Sequence, residues 1–192
     1  MENRSDSSLW LEAIGGTESS FGVIYDRYKH IIYRAALARV ANTSDAEDVV
    51  AIVFLEAWRK RADVRFVDGS LRPWLLVVMV NVTLSRRRST RRHRRVLAKI
   101  PAADPAPDHS HRLVDRMHAQ SAAGAIRTAI GNLNGRDRQI VELCLVEELS
   151  MAEAATALNV PVGTVKSRLS RIRRRLQVDL GAYAPGLEGA TS

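Results

Sequence analysis

The spacing of the apolar side chains is the feature of this sequence that most constrains its fold. Apolar residues recur at three- and four-residue steps, as on one face of a helix, and one such stripe comprises Phe21, Ile24, Tyr25, Tyr28, Ile32 and Ala35. The pattern stops at 101–111 (PAADPAPDHSH), where three prolines fall within seven positions, as is typical of a linker. We therefore predict an all-α fold of two small helical domains, 1–98 and 112–180. A flexible linker is expected at 99–111 and a disordered tail at 181–192.

Capping signals give the expected helix boundaries. Ser7 or Ser8 can begin a short helix that ends at Ile14, and the capping box at 44–47 (SDAE) can begin another that ends near Arg61. Pro73 fits the first turn of a helix that continues into an arginine-rich tract, because its missing N–H costs nothing there. Further helices are expected at about 19–40, 112–132, 136–147, 151–158 and 162–178, and a loop at 63–70.

Positive charge is concentrated in two short tracts. The chain carries 29 Lys and Arg against 21 Asp and Glu, yet residues 1–85 hold ten basic and eleven acidic side chains. Seven arginines then fall within 86–95, and six basic residues fall within 166–175. Since the planar guanidinium suits phosphates and guanine edges, the two tracts favour two contacts with nucleic acid. Solvated helix faces or a membrane-surface patch would also account for the charge alone.

Several classes of protein are disfavoured by what the sequence lacks. Cys144 is the single cysteine, so neither an intrachain disulfide nor a thiolate metal cluster can form, and it is expected to be a small core residue. No signal peptide opens the chain, and no apolar run reaches the roughly 18 residues that a membrane helix needs. A soluble, cytoplasmic protein without membrane insertion is expected.

Residues 151–175 have the pattern of a DNA-binding helix-turn-helix. A capping box at 150–153 (SMAE) begins a short helix in which Ala152 and Ala155 leave room for a second helix to cross closely. Asn159 tolerates the left-handed conformation that the turn needs, and Pro161 opens the second helix. In that helix an apolar seam must face inward, formed by Val165, Leu169, Ile172 and Leu176.

This seam decides which polar side chains of the second helix face outward. A recognition helix places its amino-terminal part near base edges, so the candidate base-reading residues are Lys166, Ser167, Ser170 and Arg171. Phosphate contacts fix register without reading sequence, and they are expected from Thr164, Arg168, Arg173, Arg174 and Arg175. The alternative is an ordinary helical hairpin with a charged outer face.

Five blocks of this chain, taken in order, resemble one protein family. They are FGVIYDRY at 21–28, DAEDVVAIVFLEAW at 45–58, PWLL at 73–76, Asn81 with the arginine tract after it, and VPVGTVKSRLSRIR at 160–173. Their order and spacing over about 15–178 resemble the extracytoplasmic-function (ECF) sigma factors of RNA polymerase. The resemblance implies a first domain that binds core polymerase and recognises and melts the −10 promoter element, and a second domain that recognises the −35 element.

The resemblance also implies partners and residue roles. The implied partners are promoter DNA, an anti-sigma protein, and core RNA polymerase through its flap region and the clamp coiled coil of its largest subunit. The polymerase-binding surface would comprise Asp45, Glu47, Asp48, Phe54, Leu55 and Trp58, although Phe54 and Trp58 could instead be core residues. The loop 64–70 and the helix after it would capture an unpaired base of the −10 element, with contacts from Asn81, Arg86, Arg87, Arg88 and Arg91. For Asn81, an ordinary amide on the helix surface is the competing interpretation.

Three positions depart from the family pattern. Ala51 stands where a Gln often completes the polymerase-binding block, which weakens the case for that contact. Ser85 occupies a position frequently held by Asp and puts the local network after Asn81 in doubt. Asn159 replaces the common glycine of the turn, which is conformationally tolerable.

Two rival functions explain less of the sequence than the resemblance to an ECF sigma factor does. An enzyme has no support, because the chain shows no glycine-rich phosphate loop, no nucleophile–base pair and no paired catalytic carboxylates; no catalytic residue or cofactor is expected. His109, His111 and His118 lack an evident fourth ligand, so no metal site is expected. The stronger rival is a helix-turn-helix repressor or activator that binds duplex operators without the polymerase, but it leaves Asn81 and the 45–58 block without a role.

Overall fold

The computed structural model describes residues 4–40, 42–97 and 122–180. Apart from one isolated bridge between Val67 and Ser70, these ranges contain helices and turns and no strand. The helices are α1 (Asp6–Ile14), α2 (Glu18–Leu37), α3 (Thr43–Arg59), α4 (Arg72–Leu97), α5 (Ala122–Gly131), α6 (Gly135–Val141), α7 (Met151–Leu158) and α8 (Val162–Leu180). A 3₁₀ turn, Arg61–Asp63, follows α3, and a π-helical turn, Glu142–Val146, continues α6. The all-α prediction is confirmed, whereas the predicted linker and tail lie outside the described residues.

Two helices begin earlier than the capping signals predicted. Ser5, and not Ser7 or Ser8, caps α1, because its hydroxyl accepts a hydrogen bond from the Ser8 amide at 3.2 Å. Asn42, and not Ser44, caps α3, since its side-chain oxygen accepts from the Asp45 amide at 2.7 Å. The capping box predicted at 44–47 was therefore wrong. Several cap-forming residues follow one another there, and the extended backbone of Asn42 selects the first of them.

Aromatic residues dominate the core between α1, α2 and α3. The Phe21 ring centroid lies 5.8 Å from that of Trp10, 6.3 Å from that of Phe54 and 5.2 Å from that of Trp58. Tyr25 meets Phe54 nearly edge-on at 4.8 Å. Each such pair adds about 0.5–1.5 kcal/mol beyond the burial of its apolar area. Most of the predicted stripe on α2 faces this core: Ile24, Tyr28, Ile32 and Ala35 are buried, Phe21 is half-buried, and Tyr25 is 38% exposed.

A buried carboxylate ties α1 to α2 and to the start of α4. Asp6 accepts hydrogen bonds from the Arg27 guanidinium, from the Tyr28 hydroxyl and, at 2.7 Å, from the Leu71 amide. Burial raises the pKa of Tyr28, and its hydrogen bond to the Asp6 carboxylate raises that pKa further. Because a buried charge is costly unless it is fully hydrogen-bonded, this cluster fixes the positions of three chain segments together.

Replacing Asp6 with Ala is expected to lower the free energy of unfolding by about 3 kcal/mol, because charge-assisted hydrogen bonds are lost and Tyr28 keeps a buried hydroxyl. Urea unfolding followed by circular dichroism would measure the change. Asp26→Ala is the matched control, since Asp26 is exposed and its one ion pair within the described part of the chain is with Lys29, one turn away on the same helix. Equal losses for the two variants would contradict a structural role for the Asp6 cluster.

The helices of the carboxy-terminal part pack around the apolar seam of α8. Val165 and Leu169 join Ile140 and Ala155 in one cluster, and Ile172 joins Leu133 and Val141 in a second. Leu176, the last seam residue, is half-buried. Asn159 adopts φ 57° and ψ 50° between α7 and α8, which is the left-handed turn that the sequence predicted.

The two parts of the chain also pack against each other. α4 contacts α6, the π-helical turn and α7. Four apolar residues of the carboxy-terminal part are buried in the same cluster as the α1–α4 core: Leu143, Leu149, Ala154 and Ala157. The described residues therefore form a closed arrangement, in which α4 lies between α2 and α3 on one side and the helix-turn-helix on the other.

Candidate nucleic-acid interface

The outer face of α8 carries the predicted base-reading residues. Burial of the Val165, Leu169 and Ile172 seam turns this face to solvent, and the exposed side chains include Lys166, Ser167, Ser170 and Arg171. Three of the predicted phosphate-binding residues are exposed as well: Arg173, Arg174 and Arg175. A helix with one apolar and one basic face, held by a short crossing helix, has the geometry to enter a major groove.

Two of the predicted phosphate contacts on α8 are less accessible. Thr164 is half-buried. Arg168 is also half-buried, and its guanidinium lies 3.3 Å from the Asp137 carboxylate at the start of α6. Asn134 caps that helix through the Asp137 amide at 2.9 Å. Arg168 therefore also fastens α8 to α6, so part of its charge is compensated within the chain.

The capping box at the start of α7 is present with both of its bonds. The Glu153 amide donates to the Ser150 hydroxyl at 3.1 Å, and the Glu153 carboxylate accepts from the Ser150 amide at 2.8 Å. The hydrogen bonds from Ser150 lower the pKa of Glu153. This box fixes the helix on which α8 rests, so the prediction from 150–153 is confirmed.

Replacing Ser150 with Ala is expected to destabilise the carboxy-terminal part by about 1 kcal/mol, the usual contribution of an N-cap. Because the pKa of Glu153 is lowered on folding, the contribution of the box is present above the ordinary carboxyl pKa and is lost as the pH falls through the lowered one. Thermal unfolding at neutral and at acidic pH would measure both effects. Thr156→Ala, an exposed change on the same helix, should have little effect, and an equal loss there would contradict the assignment.

The arginines at the middle of α4 make bonds within the chain. Arg86 donates to the Asp45 carboxylate at 2.8 Å and lies 3.4 Å from that of Asp48, so it joins α4 to the start of α3. Arg87 donates to the backbone oxygen of Arg39 at 3.0 Å. Arg88 donates to the Ser85 hydroxyl at 3.2 Å, and the side chain of Arg91 lies outside the described part. Arg87 and Arg88 have no charged partner in the described contacts, whereas Arg86 is committed to two carboxylates.

Asn81, the predicted −10 contact, is exposed on α4 and faces the carboxy-terminal part. Its side-chain oxygen accepts a hydrogen bond from the Gln139 amide group at 2.8 Å. An open polar cleft of about 610 Å³ surrounds this bond. Four arginines line the cleft, two of them from α8: Arg88, Arg136, Arg168 and Arg171. Gln139 was not singled out from the sequence, because a contact across 58 residues leaves no local pattern.

The loop before α4 is held in a defined shape. Asp68 and Gly69 both have positive φ, at 50° and 76°, and the backbone of Val67 exchanges two hydrogen bonds with that of Ser70 at 2.9 and 3.0 Å. Asp-Gly at the centre of such a turn is favoured because glycine accepts positive φ without strain. The next residue, Leu71, is bonded to Asp6. The predicted loop at 63–70 thus ends in a tight turn at 67–70, next to a residue that is bonded to the amino-terminal core.

The outer face of α3 combines acidic and apolar side chains. Glu47 and Asp48 are exposed near its start, Asp45 is half-buried, and Leu55 is 58% exposed farther along. Trp58 is partly exposed. Its ring meets that of Phe21 in a T-shaped contact, and the Arg61 guanidinium lies over its face. Ile52, one turn before Leu55, is exposed as well and was missed from the sequence.

Phe54 does not belong to that outer face. It is 4% exposed and packs against Phe21 and Tyr25, so its assignment to a polymerase-binding surface is corrected to the core. The reason is the helical period: Phe54 continues the inward stripe of Val50, Val53 and Ala57, whereas Leu55 lies about 100° away around the helix.

Both halves of the chain match models of one protein family. Residues 24–93 match sigma-70 region 2, and residues 123–176 match sigma-70 region 4. The chain is 29% identical over 184 residues to the ECF RNA polymerase sigma factor SigM of Mycobacterium tuberculosis, which covers 96% of this chain and 89% of that protein. It is 28% identical over 171 residues to the ECF sigma factor SigW of Bacillus subtilis, covering 86% and 91%.

The fold is similar to that of a solved structure as well. CnrH, determined in complex with the cytosolic domain of CnrY, superposes with a TM-score of 0.55 at 24% identity, covering 94% of this chain and all of that one. Within the described residues, no helix has the length and apolarity to cross a membrane.

A sigma-70 region 2 and a sigma-70 region 4, each presenting a basic helical surface, define a transcription initiation factor that works as a subunit of RNA polymerase. The chain belongs to the ECF sigma factors. The prediction made from the five sequence blocks is confirmed. The rival repressor or activator is not supported, because it gives residues 24–93 no reason to match region 2.

Proposed function

We propose that this sigma factor directs promoter-specific initiation through three separate surfaces. The outer face of α3 docks on the clamp coiled coil of the largest polymerase subunit, α8 recognises the −35 element as duplex, and the loop 64–70 with α4 opens and holds the −10 element. The observation that carries this proposal is the match of the two basic helical parts, separately and in order, to regions 2 and 4.

The −35 element would be recognised by the exposed polar side chains of α8. Lys166, Ser167, Ser170 and Arg171 lie toward its amino-terminal half, which is the part of a recognition helix that meets base edges. Arg173, Arg174 and Arg175 follow and would hold phosphates. Thr164 and Arg168 are half-buried, and they would add phosphate contacts once their side chains turn outward and Arg168 leaves Asp137.

The −10 element would be opened by binding energy, without chemistry carried out by this chain. Extruding a base costs a few kcal/mol, which a prepared site recovers through hydrogen bonds to the base edge and contacts to the backbone. The hydrogen-bonded 67–70 turn and Asn81 would form that site, and Arg87, Arg88 and Arg91 would follow the phosphates. Arg86 would contribute indirectly, by holding the start of α3 in place.

The polymerase would bind the acidic and apolar face of α3 and, through its flap region, the carboxy-terminal part. Exposed Glu47 and Asp48 beside Leu55 and Ile52 suit a partner helix that is basic and partly apolar. We place this activity in the cytoplasm, where RNA polymerase works, and we expect an anti-sigma protein as a further partner. No cofactor or metal takes part in this mechanism.

Co-purification with core RNA polymerase tests the proposal against duplex-operator binding. The full chain, mixed with core enzyme, is expected to elute with it in size-exclusion chromatography and to footprint two promoter elements only in that complex. A protein that stays apart from core enzyme, yet protects palindromic duplex DNA by itself, would contradict the proposal.

A further inference from the structure

Helix α1 holds both ends of the segment 61–71, which connects α3 to α4. At the first end, the Trp10 indole N–H donates a hydrogen bond to the backbone oxygen of Arg61 at 3.1 Å. At the other end, the Asp6 carboxylate accepts from the Leu71 amide at 2.7 Å. Trp10 and Asp6 are 2% and 3% exposed, and a spacing of four residues puts them on the same face of α1. One face of one helix therefore fixes the points at which the segment leaves and rejoins the core.

The contact with Asp6 continues into the 67–70 turn through side chains. The Tyr28 hydroxyl donates its one proton to the Asp6 carboxylate, so the Ser70 hydroxyl, 3.2 Å from the same Tyr28 oxygen, must donate to it. The Ser70 oxygen in turn accepts from the Arg72 amide at 3.2 Å. A chain of hydrogen bonds thus runs from α1 through the last residue of the turn to the first residue of α4.

Burial makes these bonds specific for one position of the segment. Displacing Leu71 would leave an oxygen of the buried carboxylate short of a hydrogen bond, and displacing Arg61 would leave the Trp10 N–H unpaired. Both penalties act on the backbone at the ends of the segment. Between those ends Val67 is buried, and the two residues after it are exposed at the tip of the turn. The exposed tip is therefore presented from a base that is held at both ends.

Helix α1 lies outside the part of the chain that matches the family model. The match to sigma-70 region 2 begins at residue 24, whereas α1 ends at Ile14. The segment 61–71 lies inside that match. A helix that precedes region 2 in the chain therefore sets the position of a segment that belongs to it.

We propose that Asp6 and Trp10 are positioning residues for recognition of the −10 element. By bonding to the backbone of Leu71 and Arg61, they hold the loop 64–70 in the geometry that captures an unpaired base. Neither side chain touches the DNA in this arrangement. The inference rests on the proposed function for the role of the loop, and it extends the −10 site to a helix before region 2.

The test measures how much one base contributes to binding by the holoenzyme. The probe is a promoter fragment that the holoenzyme opens, prepared with its −10 element unpaired and with one nucleotide at a time made abasic. For wild type, removal of the captured base should lower the affinity about tenfold, because a held base contributes stacking and hydrogen bonds. The ratio of the affinities for intact and abasic DNA is independent of the fraction of folded protein, so a loss of stability alone leaves it unchanged.

The variants remove the bonds at each end of the segment separately. Asp6→Ala should bring the ratio to within about twofold of one, and Trp10→Phe, which keeps an aromatic ring but loses the N–H, should lower it about threefold. Glu12→Ala is the matched control. Glu12 is a carboxylate on the same helix that accepts from Ser20 of α2 at 2.5 Å, and it has no hydrogen bond or ion pair to 61–71 among the described residues. Its replacement should keep the wild-type ratio.

A rescue variant separates positioning from a general effect on the fold. Asp6→Asn keeps a side-chain oxygen that can accept from the Leu71 amide, so its ratio should lie above that of Asp6→Ala. The preference for the −35 element should be the same in wild type and in all variants, because the bonds of α1 to 61–71 lie far from α8 in the chain and involve none of its residues.

The outcomes distinguish this inference from the proposed function. A wild-type ratio in folded Asp6→Ala or in Trp10→Phe, or an equal loss in Glu12→Ala, would overturn the positioning role and leave the proposed function standing. If the wild-type holoenzyme opens no promoter, or if no abasic position weakens its binding, the proposed function fails and the positioning role fails with it. The behaviour of wild type alone tells the two failures apart.

Discussion

Replacing Leu55 with Asp is expected to reduce the affinity for core RNA polymerase about a hundredfold, equivalent to about 2.7 kcal/mol, as at an interface hot spot. Leu55 is 58% exposed at the centre of the α3 face, with Ile52 and Trp58 one turn to either side. Docking would bury an aspartate where an apolar side chain had fitted. The buried charge would have no partner of opposite charge, which costs binding free energy. Fluorescence anisotropy of the labelled protein, titrated with core enzyme, measures the loss.

Leu11→Asp is the matched control for this prediction. Leu11 is a leucine exposed still further, at 69%, on α1, a helix with no proposed role in polymerase binding. The same substitution there should leave the affinity for core enzyme within about threefold of wild type, as for surface changes outside a hot spot. Equal losses for Leu55→Asp and Leu11→Asp, or no loss for either, would contradict docking through α3.

Replacing Arg171 with Ala is expected to weaken promoter binding by about 1–3 kcal/mol and to relax the preference at one position of the −35 element. Arg171 is exposed on the outer face of α8, two residues before the run 173–175 that is assigned to phosphates. Selection of bound sequences from a randomised −35 library, with holoenzyme, would show which position loses its preference. Loss of preference at one position, with the rest of the consensus unchanged, is the expected result.

Arg174→Ala provides the contrast, because it removes the same side chain from the same helix. If Arg174 contacts a phosphate, the substitution should weaken binding to all promoters alike. It should also reduce the salt dependence of binding by about one released counterion. A change in sequence preference with Arg174→Ala, or a uniform loss with Arg171→Ala, would show that the division of α8 into base-reading and phosphate-binding parts is wrong.

The parts of this structure that follow from local spacing could be predicted from the sequence. The seam of Val165, Leu169 and Ile172 is buried as expected, and Asn159 takes the left-handed turn that its short polar side chain tolerates. The capping box at 150–153 formed because both of its partners lie within one helical turn. Signals of this kind are complete within a few residues, but where several cap-forming residues adjoin, as at 42–45, the sequence does not decide which of them begins the helix.

The contacts that join distant segments could not be predicted in the same way. Asp6 and Arg39 look like ordinary surface charges in the sequence, yet the first is buried under Tyr28 and Leu71, and the second pairs with glutamates 103 and 108 residues later. Phe54 was assigned to the docking surface because a motif marks residue types without fixing the face each occupies. Burial of a charge depends on which helices meet, and no local pattern encodes that.

In vitro transcription shows whether this chain acts as an initiation factor. Core RNA polymerase is supplied with a library of genomic promoter fragments, with and without this protein, and the new transcript starts are mapped. We expect transcript starts that appear only with the protein and that share two sequence elements at fixed spacing. The assignment as an initiation factor would be contradicted if no new transcript appeared. That result counts if the protein is folded and either co-elutes with core enzyme or binds duplex DNA by itself.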